Sequence, residues 1–243
     1  MFLYWCGIMS DYSSYYLSLN DNFKDIISEC LNEKNIPMHA KASSFLKDFK
    51  NWIEIIEDFS FETCIYNEAF QEYNSMILFW TMGLYKHAYF ALRSCIELLS
   101  FGIFLSTNEL NYRLWKQGQF DISWAAIVDE NSGVYSKNFI KCFAPNFSST
   151  NSAFLRLSKN LYRECSEYVH SNFNIIVTLP ESFMFDQKTF EDLGKKAEIA
   201  TQIITYLFLI RYNEKLDSVS KIKLENTIIE NLSWLPEAHE FYN

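Results

Sequence analysis

The sequence predicts an all-α protein, a helical bundle built on a long antiparallel helix hairpin with extra helices at its N-terminus. Three observations carry that expectation. Apolar residues recur at steps of three and four through most of the chain, the period of an amphipathic helix. Turn-forming residues are scarce, with six Gly and four Pro in 243 positions, whereas a β-sandwich or barrel needs many tight turns. No GxGxxG, and no GxxxxGK followed by Ser or Thr, is present to cradle a phosphate in a Rossmann or P-loop fold. With 49% apolar and 18% aromatic residues, the chain has ample material for a buried core and lies far from a disordered composition.

Taken in order, the first element starts at Asp21 as a cap and runs to about Asn32, with Phe23, Ile26, Ile27, Cys30 and Leu31 at helical spacing. The run NIPMH at 35–39 reads as a break. A second helix covers Lys41 to Asp58, with an apolar stripe of Phe45, Phe49, Trp52, Ile53 and Ile56. A third covers about Glu62 to Met82 and ends at Gly83; a fourth covers about Lys86 to Leu105. The last two form the hairpin.

Residues 107–148 are more broken. Short helices are expected near 109–117, 121–129 and 134–142, with turns at Gly118 and Gly133. The segment CFAPNFSSTNS reads as a loop that delivers Ser149 or Thr150 as a cap for a helix over roughly 151–171. FNIIVTLPES is extended or loop-like, and Ile175 to Val177 could make a short strand without a partner. A long helix then covers about Lys188 to Leu216, a last one about Val219 to Leu232, and the tail is loose. With no internal repeat or low-complexity linker, residues 1–243 read as one all-helical domain. It has an extension over about 1–60, a core over about 61–216 and a C-terminal helix and tail over about 217–243.

The N-terminal run MFLYWCGIM has no preceding Lys or Arg and no small-residue cleavage site, so it does not read as a secretory signal. The apolar runs Tyr73–Tyr85 and Ile199–Ile210 are too short to span a bilayer and suit buried helices, so no membrane is expected as a partner. Six cysteines are widely separated without CxxC spacing, which fits a reduced, cytoplasmic protein with neither disulfide framework nor zinc site. Four scattered histidines without HExxH make neither a metal site nor a cofactor site, and none is expected. Of these, His39 and His239 fall in a loop and the tail, and His87 reads as a solvated residue at a helix start. The net charge of −9 excludes a protein that coats duplex nucleic acid through bulk charge. The charge is uneven, however: residues 1–75 carry −7, residues 111–163 carry +4 and residues 164–243 carry −6. A local basic patch of that kind could hold one or two phosphates, ordinary surface scatter being the commoner account of such a distribution.

The string LYRECSEYVHSN, residues 161–172, carries the most chemistry. At about 100° per residue, Arg163 and His170 return to within about 20° of one another. Glu167 and Ser166 lie one turn from Arg163 and His170 respectively, and Leu161, Cys165, Tyr168 and Val169 make an apolar back. In purely structural terms, Arg163 and Glu167 form a surface ion pair worth a few tenths of a kcal/mol, and His170 complements the helix C-terminus. In functional terms, a guanidinium and an imidazole on one face serve phosphodiester chemistry. His transfers protons near neutrality, and Arg stabilises charge developing on a phosphoryl group. Abundant aromatics could also stack on single-stranded RNA, although most such residues fill the core.

Arg, six residues, then His, late on a helix of an all-α domain, resembles the signature of the HEPN proteins (higher eukaryotes and prokaryotes nucleotide-binding). YRECSEYVHSN is similar to a Tyr…Ser-x-Tyr-Val-His string of bacterial HEPN-like proteins, and GLYKHAYFALRSCIELL, residues 83–99, resembles their second helix, with Arg93 and Glu97 as its Arg-x-x-x-Glu pair. The resemblance covers roughly residues 65–210. It implies a HEPN-like bundle and a metal-independent endoribonuclease, a toxin or anti-phage defence effector, working as a homodimer through the motif helix. His170 would exchange a proton during attack of a ribose 2′-OH on the phosphate, and Arg163 would bind and polarise that phosphate. Ser166 and Glu167 would support them, and Arg93–Glu97 would orient the site or brace the bundle. RNA or a nucleotide, and an antitoxin or defence-system protein, are the implied partners. Many active members place Asn, Asp or His directly after the Arg, where this chain has Glu164. The alternative implication is therefore a catalytically inactive module that binds a nucleotide, RNA or a partner protein.

Overall fold

Side-chain caps and apolar stripes set the elements of the computed structural model, which describes residues 2–121, 123–170, 173, 177, 179–180 and 183–239, with side chains from residue 12 onward. The helices are α1 (Phe2–Cys30), α2 (Ile36–Glu57), α3 (Thr63–Thr81), α4 (Tyr85–Leu105), α5 (Glu109–Lys116), α6 (Trp124–Ile127), α7 (Lys137–Phe143), α8 (Asn151–Val169), α9 (Gln187–Tyr212), α10 (Ser218–Leu232) and α11 (Pro236–His239), with single 3-10 turns at Pro145–Phe147 and Asn213–Lys215. No strand occurs among the described residues. The protein is an all-α bundle.

Five of these helices start on a polar side chain that accepts a free first-turn N–H. Asn108 caps α5, Ser123 caps α6, Ser136 caps α7, Asp186 caps α9 through the Thr189 amide at 2.7 Å, and Asp217 caps α10 through the Ser220 amide at 2.8 Å. The hairpin of α3 and α4 turns at Gly83, whose φ of +68° suits glycine. A Cβ there would also stand 2.9 Å from Ile26 and 3.1 Å from the Met184 carbonyl. The predicted α2 stripe is buried, and Trp52 stacks on Phe208 of α9 with centroids 5.5 Å apart. α9 is the central rod: it packs on α2, α4, α7, α8 and α10, and Tyr206 to Ile210 are wholly buried. Arg211, near its end, donates to the Ser106 hydroxyl and carbonyl at 2.6 and 2.9 Å, closing the C-terminus of α4.

Several elements differ from the sequence expectation. α1 begins at Phe2, and Asp21 lies inside it, paired with Lys24 at 2.8 Å, instead of capping it. α2 begins at Ile36, because Pro37 falls in the first turn, where its missing N–H costs nothing. Thr150 occupies the cap position of α8, yet its hydroxyl meets the Phe147 carbonyl at 2.8 Å and the Tyr206 hydroxyl at 2.9 Å, and Ser149 pairs with Glu237. The tail folds back as α11, burying Leu235 and Ala238, which the sequence reading left loose. Ile175 and Ile176 of the expected strand lie outside the described residues, and Val177 is in a turn. Among the described residues, the one helix long and apolar enough to cross a membrane is α4, with a window of mean hydropathy 1.5, and not either run chosen from sequence; 67% of that window is buried in the bundle, as suits a core helix.

His39 is in α2 rather than a loop. It lies half-buried, 2.7 Å from the Thr81 hydroxyl and 3.2 Å from that of Ser43, with its ring against Trp80. Burial lowers its pKa below the usual histidine value, against a smaller opposing effect of a backbone hydrogen bond to Ile77. The unfolded chain therefore binds more protons than the fold once pH drops through about 6.5, so stability falls on acidification. Melting temperature measured from pH 7.5 to 5 should fall less steeply in His39→Gln than in the wild type; equal slopes would contradict a neutral buried imidazole.

Candidate functional site

The site is built on α8, a strongly amphipathic helix. Phe154, Leu155, Ser158, Leu161 and Cys165 are buried against the bundle. The opposite face presents Arg156, Arg163 and His170, all exposed and each seven residues from the next. Seven residues advance a helix by roughly 10.5 Å, so these side chains form a line about two such steps long. His170 is the C-cap residue, its amide bonded to the Ser166 carbonyl at 2.9 Å. Among the described residues, no hydrogen bond or ion pair engages the Arg163 guanidinium, and none joins it to Glu167.

The remaining predicted residues separate into distinct roles. Ser166 donates to the Tyr162 carbonyl at 2.6 Å, a bond within its own helix, and makes none to Arg163 or His170. Glu167 is half-buried beside it. Arg93 reaches from α4 to α8: its guanidinium donates to the Tyr162 hydroxyl at 2.6 Å and stands 4.6 Å from that ring's centre. Glu97 is 3.8 Å from the same guanidinium, a loose pair, and Arg93 Nε is buried without a partner. Trp124 of α6 stacks on Tyr162, with centroids 4.1 Å apart and planes 10° from parallel. Arg93 thus braces α4 against α8 through Tyr162, the neighbour of Arg163, with Glu97 as its loose partner on α4.

A second brace holds the other side of α8. Glu164 accepts from Lys196 of α9 at 2.8 Å, and Lys196 also meets Asp192, whose carboxylate accepts from the Tyr89 hydroxyl at 2.7 Å. The Tyr89 and Tyr168 rings stack 3.6 Å apart. Burial would lower the Lys196 amine, but the Glu164 and Asp192 carboxylates outweigh it and hold the pKa above the usual lysine value. That raised pKa keeps the pair stabilising throughout the neutral range and is lost only as pH rises through it. Glu164 therefore faces α9 and belongs to the packing of α8.

Sequence reasoning did not single out Tyr162, Lys196 or Asp192. Their roles depend on contacts between helices, for which local spacing holds no signal. Buried thiols are chemically quiet: burial raises Cys30 and Cys165 to about 12 and Cys95 further. Among the described residues, no group of three His, Cys, Asp or Glu side chains is placed to hold a metal ion. A groove of about 430 Å³ runs along the N-terminal half of α8, lined by Asn151, Ser152, Arg156, Lys159 and Asn160, with Glu130 paired to Lys159 at 3.4 Å. The chain matches no family model, no curated protein and no solved structure.

Proposed function

We propose that this protein is a metal-independent endoribonuclease of HEPN type, acting as a toxin or anti-phage effector, with His170 in proton transfer and Arg163 on the phosphate. The observation that supports it is the exposed pair of Arg163 and His170 on one face of α8, a helix held on both flanks by Arg93–Tyr162–Trp124 and Glu164–Lys196. Fixed helices locate catalytic groups more narrowly than loops do. Arg156 and the groove beside it extend the cationic line along the helix, and a ribose-phosphate chain is the polymer whose repeated charges suit such a track.

In the reaction this geometry favours, the 2′-oxygen attacks the adjacent phosphorus and its proton passes to a base. The bond from phosphorus to the 5′-oxygen breaks, leaving a 2′,3′-cyclic phosphate and a 5′-hydroxyl that takes up a proton. Imidazole suits one of these transfers, and Arg163 neutralises charge gathering on the phosphoryl oxygens. A second copy of α8 would supply the other proton carrier, which is the homodimer that the reading implies.

The test expresses wild type, His170→Ala and Arg163→Ala side by side, following growth and total RNA. Wild type should arrest growth and fragment RNA, and each variant should lose about 10²–10⁴ of cleavage rate. Intact RNA with folded wild type, also under phage challenge, overturns the nuclease reading. A second reading, an inactive binding module, draws on the single bond that Ser166 spends on its own helix. Under it, Arg163→Ala weakens RNA binding by a protein that never cleaves.

A further inference from the structure

α1 carries an apolar seam longer than the surface it packs on. Tyr12, Tyr16, Leu19, Phe23, Ile26 and Cys30 follow one another at steps of four and three, the a and d positions of a heptad. Read upstream, the sequence keeps the same steps through Met9, Trp5 and Phe2, so the pattern persists over four heptads. Among the described side chains of α1, from Tyr12 onward, the bundle uses the C-terminal end. Ile26 and Cys30 are buried, Cys30 Sγ lies 3.7 Å from the Trp80 carbonyl, and Phe23 meets Phe183 at 5.6 Å. From Tyr12 to Ser18 every residue is exposed, so no face of the helix is covered over those two turns. Tyr12 and Tyr16 are 63% and 65% exposed although they sit on the seam.

We propose that the exposed turns of α1 from Tyr12 to Ser18 are an association arm whose occupant is the same seam on a second copy of this chain. Three features favour that occupant. The seam is continuous with one the protein already uses for helix packing. The flanking positions are uncharged, being Ser13 and Asn20 on one side and Tyr15 and Asn22 on the other, and Asp11 and Asp21 fall at outward positions. Identical helices therefore meet without like-charge repulsion, as a two-fold contact requires. Aromatic side chains bury roughly 150–250 Å² each, so Tyr12, Tyr15 and Tyr16 of two copies supply much of the about 1,000 Å² that a specific interface needs.

A lipid surface is the poorer fit. Surface-lying helices carry Lys and Arg on their polar face, and this chain has none before Lys24. The ribonuclease reading needs two copies held together, and the arm is the contact that supplies that association. A seam variant that stays dimeric overturns the arm and leaves the ribonuclease reading standing, a monomeric wild type removes the homodimer both rest on, and a dimeric protein that leaves RNA intact overturns the ribonuclease alone.

The experiment measures the mass of the full chain by sedimentation equilibrium from 1 to 100 µM, the range being roughly that of a modest helix-pair affinity. Wild type should show twice the 28.7 kDa chain mass. Tyr12→Asp/Tyr16→Asp should be monomeric, its dissociation constant raised at least about 100-fold. Leu17→Asp, equally exposed but off the seam, should remain dimeric. Unchanged thermal unfolding of the exposed-site variants verifies that their bundle is intact. Wild type monomeric throughout overturns the proposal, as does a seam variant that stays dimeric, which places the contact elsewhere. Monomeric wild type that sediments with vesicles of neutral and anionic phospholipid overturns it in favour of lipid.

Discussion

Glu62→Ala is expected to destabilise the protein by about 3–5 kcal/mol, the scale of a broken buried polar network. Glu62 is completely buried at the start of α3. Its carboxylate accepts from the Ser60 and Tyr212 hydroxyls, from the Phe61 amide at 3.1 Å and from the Tyr66 hydroxyl at 3.2 Å. Tyr66 and Tyr212 also meet each other at 2.7 Å. Alanine removes the one acceptor these donors share, and each donor left dry costs about 1–3 kcal/mol. Glu62→Gln keeps an acceptor oxygen and should lose roughly half as much. Urea unfolding followed by circular dichroism reads both. A loss under 1 kcal/mol for alanine would mean that water enters and replaces the carboxylate.

Gly102→Val is the second large effect, expected at about 3 kcal/mol by overpacking. Gly102 lies within α4, where glycine costs about 1 kcal/mol relative to alanine, so a packing reason must offset that. A Cβ at this position would overlap the Tyr66 ring. That ring cannot turn aside, because its hydroxyl is held by Glu62 and Tyr212 and its face by Phe208 at 5.1 Å. The two sites share Tyr66, so the double variant Gly102→Val/Glu62→Ala should cost less than the two separate losses together. Strict additivity would show that the ring yields without its hydroxyl partners.

The parts legible in the sequence are those set by local periodicity. The α2 stripe from Phe45 to Ile56, the turn at Gly83 and the apolar back of α8 at Leu161 and Cys165 all follow from spacing. Exposure of Arg163 and His170 follows from the same amphipathic pattern. Pro37 misled, because a proline in a first turn and a proline in a loop look alike without the preceding residue's conformation. α1 was cut short for a related reason: Tyr12 to Asn20 is rich in Ser, Tyr and Asn, residues of middling helix propensity, and only the step pattern continues through it. Glu164 was read by its position next to Arg163, whereas its role is fixed by Lys196, 32 residues away in the chain.

The position of α9 in the chain has a consequence for synthesis. Helices α2, α4, α7 and α8 all bury apolar surface against a rod that comprises residues 187–212. Ribosomes add about 5–20 residues per second and hold back the newest ones. Everything up to α8 therefore waits, for seconds, with its central packing partner not yet made. The hairpin of α3 and α4 is local and can form at once, but it emerges with the faces of α4 that later pack on α8 and α9 open to water. The nascent chain thus spends that interval with an open apolar cleft, a state that holdase chaperones bind, and truncation before α9 would make that state permanent.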